Sequence, residues 1–249
     1  MTRVPHHPPG IVLAELTWLQ AAQVLTPQTV VLIPLGAAAK EHGPHLRLKN
    51  DQVLADALAQ CIGEVTEVVI APTVTYSFYP AFLAYPGSIS LRLETARDTM
   101  VDICRSLARY GPRRFYVLNT GISTLRALQP AAELLATDGI LLRSTNLASL
   151  LEPLSVQIGQ QEGGSHADEL ETSLMLALAP ELVDMSCAVK DYHPGSGGLT
   201  RDPAGPEIYS PSGVYGDATL ATRDKGCQVL MALVAGIVRE IELLRATPA

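Results

Sequence analysis

Runs of apolar residues alternate along the chain with amphipathic segments of helical length. Strands that are covered on both faces are apolar at successive positions, so the apolar runs predict buried parallel strands at 30–35, 65–74, 113–119 and 140–144. Apolar residues that recur every three or four positions predict helices at 13–22, 51–62, 95–110, 125–137, 167–179 and 224–244. This alternation predicts an α/β fold, a three-layer α/β/α sandwich with a mainly parallel, doubly wound sheet.

The densest group of chemically active residues lies directly after the first predicted strand. Lys40, Glu41 and His42 stand there, and Asp51 follows nine residues after His42. Open α/β sheets bind ligands at the carboxyl ends of their strands. A histidine nitrogen and a carboxylate that converge on one point form half of a divalent-metal site. The alternative is an ordinary loop histidine, with Asp51 as the cap of the next helix.

The orientation of Lys40 and Glu41 has two readings. If the strand continues through Lys40, side-chain alternation places Lys40 and His42 on one side and Glu41 on the other. A bulge in this stretch turns Glu41 toward the site instead. The sequence leaves both readings open.

His166 and Glu171 form a second candidate pair. Glu171 lies little more than one turn inside the helix predicted over 167–179, so both side chains can face a site in front of the helix N-terminus. This arrangement is typical of an acid–base and ligand pair. The alternative is that Asp168 caps the helix and Glu171 lies on its surface.

Two loops are candidates for substrate contacts. Aromatic residues are concentrated at 76–85, where Ser77 and Tyr79 could form part of the wall of a small-molecule pocket, or simply pack onto the core. The stretch 191–212, which contains His193, is predicted to be a long loop, and such loops are usually lids, binding loops or oligomer contacts.

Four stretches together resemble a known family. The string KEHGPHL at 40–46 resembles the creatininase signature, in which a strand ends in Glu-Gln-His-Gly-Pro-His-Leu-Pro and an Asp follows nine residues after the metal-binding His. Further matches follow in the same order, namely YPGSISL at 85–91, HADELETS at 166–173 and GVYGDATLAT at 213–222. The resemblance implies a single creatininase-like domain over 1–249.

The resemblance also implies an activity. Creatininase-family enzymes hydrolyse an amide in a small, often cyclic substrate by metal-activated water. For this chain the resemblance implies an amidohydrolase in which His42 and Asp51 bind metal, Glu171 assists as a ligand, and His166 moves the proton. It further implies a homo-oligomer, expected to be a hexamer.

Departures from the family pattern concentrate on the metal ligands. In creatininase one metal is held by residues at the positions of Lys40, Asp51 and Gly121, and the other by residues at His42, Asp51 and Ser123. A lysine, a glycine and a serine replace three of those ligands, so we expect one divalent metal (zinc, manganese or iron), whereas a second requires Glu41 to point inward. With Lys40 inward, its ammonium takes the place of the first metal, where it offsets Asp51 and polarises a carbonyl.

These departures keep two other functions open. The chain could be a metal-free ligand-binding or assembly protein on the same scaffold. It could also perform non-hydrolytic chemistry on a carbonyl compound with Lys40.

Composition limits the binding partners and the cellular compartment that we expect for this chain. The chain has 249 residues, 18 basic and 25 acidic, with a net charge of −7 and no basic cluster, so nucleic acid is not expected as a partner. No apolar run approaches membrane-spanning length, and the first ten residues lack a signal-peptide core, which predicts a cytoplasmic protein without a membrane partner. The four separated cysteines predict free thiols.

Overall fold

A five-stranded parallel sheet forms the centre of the computed structural model, which describes residues 9–195 and 197–248. The strand order is β1-β3-β2-β4-β5, and all neighbouring pairs are parallel. All six residues of the central strand β2 are buried. The bounds of the strands are β1 Ile11–Val12, β2 Val30–Leu35, β3 Val69–Ile70, β4 Arg114–Asn119 and β5 Leu141–Ser144.

Helices cover both faces of this sheet. Alternate residues of β2 face opposite layers, because successive side chains of a strand point to opposite sides. Leu32 belongs to the core on the side of α2, α6 and α7, whereas Ile33 belongs to the core on the side of α3 and α4. The predicted three-layer α/β fold is therefore confirmed. The helices are α1 Trp18–Val24, α2 Asn50–Gly63, α3 Leu93–Ala108, α4 Leu125–Ala136, α5 Leu147–Ile158, α6 Glu169–Leu178 and α7 Arg223–Ala246.

Several predicted elements differ in their bounds. The strand predicted at 65–74 is regular only at Val69–Ile70, where the ladder ends close to Pro72, which has no amide hydrogen to donate. The first helix begins at Trp18, because Thr17 forms a capping box with Gln20. Strand β1 and helix α5 were not predicted.

The predicted long loop at 191–212 contains short strands. Strands β7 (Leu199–Thr200) and β8 (Ile208–Tyr209) pair with each other inside it. At its start β6 (Lys190–Asp191) pairs with β9 (Gly216–Asp217). The β6–β9 pairing connects the start of this loop to the motif at 213–222.

The packing of α6 against α7 depends on a glycine. A Cβ atom at Gly226 would lie 1.8 Å from the backbone oxygen of Ser173, so the two helices touch through their main chains. We expect Gly226→Ala to lower the free energy of unfolding by about 1–3 kcal/mol, the usual cost of overpacking. Gly236→Ala in the same helix is the control, because a Cβ atom there meets only the flexible end of Leu150, 3.0 Å away. Urea denaturation of both variants measures the difference, and an equal effect of both would contradict this view of the contact.

None of the described helices is long and apolar enough to cross a membrane. Cytoplasmic location and a single domain over 1–249 stay predictions. Most of the N-terminal segment that bears on location lies outside the described residues.

Candidate functional site

The segment that follows β2 does not continue as a strand. β2 ends at Leu35, and a Cβ atom at Gly36 would lie 2.1 Å from the backbone oxygen of Asp51, so the chain passes directly over the start of α2. The condition for regular side-chain alternation, a strand that continues through Lys40, is therefore not met. Lys40, Glu41 and His42 are all buried.

Lys40 and His42 converge on the carboxylate of Asp51. The Nζ atom of Lys40 lies 2.6 Å from Asp51 Oδ2, and His42 Nε2 lies 2.8 Å from Asp51 Oδ1. The contact between Lys40 and Asp51 is a buried ion pair. The other ring nitrogen of His42, Nδ1, is 3.0 Å from the backbone oxygen of Lys40. Because a carbonyl only accepts hydrogen bonds, Nδ1 carries a proton and Nε2 is the nitrogen presented to the site.

Glu41 turns toward His166 rather than toward Asp51. Its Oε2 atom lies 3.1 Å from His166 Nε2, and its carboxylate also accepts a hydrogen bond from the amide of Gly43. Gly213, at φ 83°, lies against this carboxylate, because a Cβ atom there would overlap Glu41 Oε1. Both readings of this stretch thus hold in part: Lys40 and Glu41 both face the site, but they contact different residues.

Glu171 closes the site from the first turn of α6. Asp168 caps this helix by accepting hydrogen bonds from the amides of Leu170 and Glu171. The carboxylate of Glu171 lies 3.5 Å from His42 Nε2 and 4.0 Å from His166 Nδ1. The expected pair therefore faces the site, and Asp168 also caps the helix. Two further groups hold the Glu171 carboxylate, namely the amide of Ala167 and the side-chain amide of Asn50.

The buried charges of the site stabilise one another. Burial disfavours a charged His42, but Asp51, assisted by Glu171, outweighs burial and raises the pKa of His42 to about 9. Burial also disfavours the ionised carboxyl groups, yet Lys40 and His42 hold the pKa of Asp51 well below its usual range. In the same way, His42 and His166 outweigh burial and lower the pKa of Glu171 to about 2. Without metal at neutral pH, His42 is therefore cationic and both carboxylates are ionised.

The donor set at this point suits a transition metal. One ligand atom each from His42, His166 and Glu171 lies within 4.8 Å of the others. Two imidazoles and a carboxylate are ligands that zinc and manganese accept. His42 also has the support that metal-binding histidines usually have, because its Nδ1 donates to a backbone carbonyl. The residues present therefore fit one divalent ion.

The predicted substrate contacts lie at different distances from this cluster. The ring of Tyr79 is 5.7 Å from Lys40 Nζ, and its buried hydroxyl has no hydrogen-bond partner within the described part of the chain. Ser77 is buried, and its backbone oxygen accepts a hydrogen bond from Leu91. The His193 side chain is 57% exposed and contacts Asp191 at 3.4 Å, so the structure does not bring it into the cluster.

Two residues in contact with the site were not predicted from the sequence. Phe82 packs on His166 with ring centroids 4.4 Å apart, and its ring lies 4.6 Å from Lys40 Nζ. Asn50 holds Glu171, as described above. The concentration of aromatic residues at 76–85 was a signal for Phe82, but nothing distinguished it from the neighbouring rings.

Comparison with known proteins shows the family of this chain. The family model described as creatinine amidohydrolase matches residues 14–241. The chain belongs to the creatininase family. It is 29% identical to creatinine amidohydrolase of Pseudomonas putida, over 93% of this chain and 96% of that protein. It is 28% identical to the mycofactocin precursor peptide peptidase of Mycobacterium ulcerans, over 92% of this chain and 91% of that protein. Both of these relatives are hydrolases by name.

Solved creatininases share the fold. A mutant creatininase of the zinc–zinc type superposes with a TM-score of 0.79 at 27% identity, covering 96% of this chain and 99% of that chain. Another solved creatininase is a manganese form. The predicted membership in the creatininase family is therefore confirmed.

Two loop positions where creatininase carries ligands are filled differently here. A Cβ atom at Gly121 would lie 3.5 Å from the ring of Tyr79, and Gly121 has no side chain to ligate a metal. Ser123 donates its hydroxyl hydrogen to the backbone oxygen of Phe78 at 3.1 Å. The Lys40 ammonium provides a positive charge next to Asp51, in addition to that of His42.

Proposed function

We propose that the protein is an amidohydrolase that cleaves a C–N amide bond of a small substrate with the help of one divalent metal. The observation that carries this proposal is the convergence of His42, Asp51, Glu171 and His166 beyond the end of β2. Membership in a family whose named relatives are hydrolases supports it.

We assign His42, Asp51 and Glu171 as the metal ligands, and leave His166, whose ring also lies within reach of the ion, to move the proton. Nε2 of His42 is available because Nδ1 donates to the Lys40 carbonyl, and Asp51 Oδ1 and Glu171 Oε1 both lie next to Nε2. When bound, a divalent ion supplies an activated water at neutral pH and polarises the amide carbonyl. Lys40 neutralises the other oxygen of Asp51 and can donate a hydrogen bond to the carbonyl oxygen of the substrate.

His166 would move the proton. If its Nε2–H donates to Glu41, its Nδ1 keeps a lone pair on the side of Glu171. Nδ1 would then accept a proton from the attacking water and return it to the leaving amine. Glu41 would hold the ring in this tautomer, which is the role a carboxylate plays behind a catalytic histidine. We propose Tyr79, which is next to Lys40, and Ser77 of the same loop as substrate contacts. His193 lies outside the cluster, so it would contact only a part of the substrate that is far from the reacting bond.

Metal analysis and substrate screening test this function together. We expect about one equivalent of zinc, manganese or iron per chain in protein purified without chelator, and its loss in His42→Ala. With zinc or manganese added, a panel of linear and cyclic amides should yield at least one substrate whose turnover disappears in His166→Ala. Creatinine is a poor candidate, since both ligand turns have changed. Absence of metal after reconstitution would contradict the proposal.

The Lys40–Asp51 ion pair favours a second candidate function. A cation that is already in place lets the site bind a ligand without any metal. Reaction of Lys40 with a carbonyl compound additionally requires that the ammonium first gives up a proton, because only the neutral amine is a nucleophile. Ligand affinity without turnover would support a metal-free binding or assembly protein. Borohydride trapping of a Schiff base at Lys40, lost in Lys40→Arg, would support the carbonyl chemistry.

A homo-oligomer, expected to be a hexamer, stays a prediction that light scattering can test.

Metal affinity should increase with pH. The metal needs the lone pair of His42 Nε2, whereas the metal-free site holds a proton there because the pKa of His42 is raised to about 9. Metal uptake must therefore release this proton, so affinity should rise about tenfold per pH unit below pH 9. The carboxyl groups of Asp51 and Glu171 stay ionised in this range and add no dependence of their own. Zinc dissociation constants in calibrated metal buffers at pH 6.5, 7.5 and 8.5 measure the slope, and equal constants would contradict the expectation.

A further inference from the structure

The turn over residues 210–214 lies behind the Glu41–His166 pair and contacts both of its members. Gly213 lies against the Glu41 carboxylate, since a Cβ atom there would be 2.0 Å from Glu41 Oε1. Directly after the turn, Tyr215 pairs with the main chain of His166. The Tyr215 amide donates to the His166 oxygen at 2.9 Å, and the His166 amide donates to the Tyr215 oxygen at 3.3 Å. The conformation of this turn therefore sets how the carboxylate faces the imidazole.

Asp191 holds this turn through a single carboxylate oxygen. Its Oδ2 atom accepts hydrogen bonds from the hydroxyl of Ser210 at 2.8 Å and from the amide of Ser212 at 3.2 Å, and a third from the Ser212 hydroxyl. A carboxylate is a stronger acceptor than a carbonyl, so the Ser210 hydroxyl donates to Asp191 rather than to the backbone oxygen of Val214. The oxygen of Ser210 in turn accepts the amide hydrogen of Gly213 at 2.9 Å. Asp191 therefore reaches Gly213 through one hydroxyl group.

The Asp191 carboxylate is largely buried and depends on the turn for its hydrogen bonds. Its side chain is 9% exposed, and no lysine or arginine of the described residues lies within ion-pair distance of it. His193 Nε2 lies 3.4 Å from Asp191 Oδ1, on the exposed side. The pairing of β6 with β9 uses only the backbone of Asp191. Burial of a carboxylate is costly unless it is hydrogen-bonded, and the turn supplies three of those bonds.

The loop over residues 76–91 holds the main chain on the other side of the turn. Tyr85 donates its hydroxyl hydrogen to the backbone oxygen of Ser210 at 2.7 Å. The hydroxyl oxygen of Ser88 accepts the amide hydrogen of Glu41 at 2.9 Å. The main chain of Glu41 is thus fixed without Asp191, whereas the direction of its carboxylate depends on the contact with Gly213.

We propose that Asp191 is a positioning residue for the proton-transfer pair, because it fixes the turn 210–214 against the Glu41 carboxylate. With the turn in place, Glu41 Oε2 stays 3.1 Å from His166 Nε2, and Nδ1 keeps its lone pair on the side of Glu171. Without the Asp191 acceptor the turn loses three hydrogen bonds, so Gly213 moves away and the carboxylate gains room to rotate. The catalytic consequence rests on the proposed function, whereas the effect on Glu41 does not.

Nuclear magnetic resonance of the His166 ring tests this positioning without requiring turnover. In metal-free protein with isotope-labelled histidine, the Nε2 proton of His166 is identified by its absence from His166→Ala. The backbone oxygen of Glu41 also lies 3.0 Å from Nε2, so the proton stays hydrogen-bonded and its resonance reports the loss of the carboxylate. Asp191→Ala should shift this resonance upfield, by about as much as Glu41→Gln does. The two changes together should add nothing further.

The chain offers a rescue variant and a matched control. All three donors converge on one oxygen, so Asp191→Asn can still accept from them and should keep the resonance close to its original position. Asp217→Ala removes a carboxylate of the neighbouring strand β9 that accepts from the amide and hydroxyl of Thr219, and it should leave the resonance unchanged. Ser212→Ala removes one donor to Asp191 and should give a smaller upfield shift, which decides the question if Asp191→Ala does not fold. Thermal unfolding checks that each variant is folded.

Steady-state kinetics on the substrate found by screening measures the consequence for catalysis. Asp191→Ala should lower kcat by about 10–100-fold, the usual loss when the partner behind a site residue is removed, with KM and metal content unchanged. Asp191→Ala combined with Glu41→Gln should lose no more than Glu41→Gln alone, because both changes remove the same interaction.

An unchanged resonance in Asp191→Ala, or in Ser212→Ala if only that variant folds, would overturn the inference. Shifts or kinetic losses that add up in the combined variant would also overturn it, because Asp191 would then act apart from Glu41. So would an equal effect of Asp217→Ala, since a general loosening of these strands would explain both. A shifted resonance in a protein that hydrolyses no amide leaves the positioning of Glu41 standing and counts against the proposed function alone.

Discussion

Replacing Lys40 with methionine should lower the free energy of unfolding of the metal-free protein by about 3–5 kcal/mol, the usual cost of removing one partner from a buried ion pair. Lys40 and Asp51 are both almost completely buried, with 5% and 0% of their side chains exposed. Methionine keeps most of the volume of the lysine stem but leaves Asp51 with only His42 to balance it. Urea denaturation in the presence of a chelator measures the loss.

Lys190→Met is the matched control for this prediction. Lys190 also contacts a carboxylate, that of Glu162 at 3.2 Å, but the two side chains are 49% and 67% exposed. An exposed pair contributes about 1 kcal/mol at most. A similar decrease in the free energy of unfolding in both variants would show that the buried Lys40–Asp51 pair stabilises the protein no more than an exposed pair.

Added zinc should then show whether Lys40 competes with a metal for the carboxylate of Asp51. Without the ammonium, both oxygens of Asp51 become available to a metal, so the Lys40→Met variant should regain more stability from saturating zinc than the unmodified protein gains. If zinc stabilises both proteins equally, Lys40 does not compete with metal for Asp51.

His166→Ala should reduce kcat on the substrate found by screening by about 10²–10⁴-fold, the range typical for loss of a general acid–base group. The metal content should stay near one equivalent, because His42, Asp51 and Glu171 remain in place as the proposed ligands. Elemental analysis and steady-state kinetics on the same preparation measure the two effects separately.

Glu41→Gln is the companion variant for His166. The glutamine can still accept a hydrogen bond from His166 Nε2, but it lacks the charge that stabilises an imidazolium, so kcat should fall less than in His166→Ala. If metal is lost together with activity in His166→Ala, His166 is a ligand, as its distance to His42 and Glu171 permits, and its assignment as proton carrier is wrong.

The fold could be predicted from the sequence because its strongest signals are local. The apolar run 30–35 and the helical spacing of 125–137 and 224–244 correspond to β2, α4 and α7 with small shifts at the ends. β1 has only two residues, and its pairing with β3 depends on contacts far along the chain. Helix α5 starts after Asn146, whose side chain accepts a hydrogen bond from the Ser149 amide, but Pro153 lies inside it, which the sequence alone favours as an interruption.

The residues of the candidate site could be predicted from the sequence, but the contacts between them could not. The motif spacing brought Lys40, His42, Asp51, His166 and Glu171 into consideration. Which side chains touch depends on the path of the chain between Leu35 and Asp51, and that path depends on the close passage of Gly36 over α2. Side-chain alternation holds only where a ladder fixes the backbone, so it could not decide the orientation of Glu41 beyond the end of β2.

The main-chain contact between α6 and α7 also decides when the site can form during synthesis. Glu171 and Asp168 belong to the start of α6, and α6 packs chiefly against α7, which follows every other described helix in the chain. Helix α2, which carries Asp51, packs against α7 as well, so we expect both halves of the site to be secured only after residue 246 has left the ribosome. Ligands that need both halves of the site can be bound only after synthesis has passed α7.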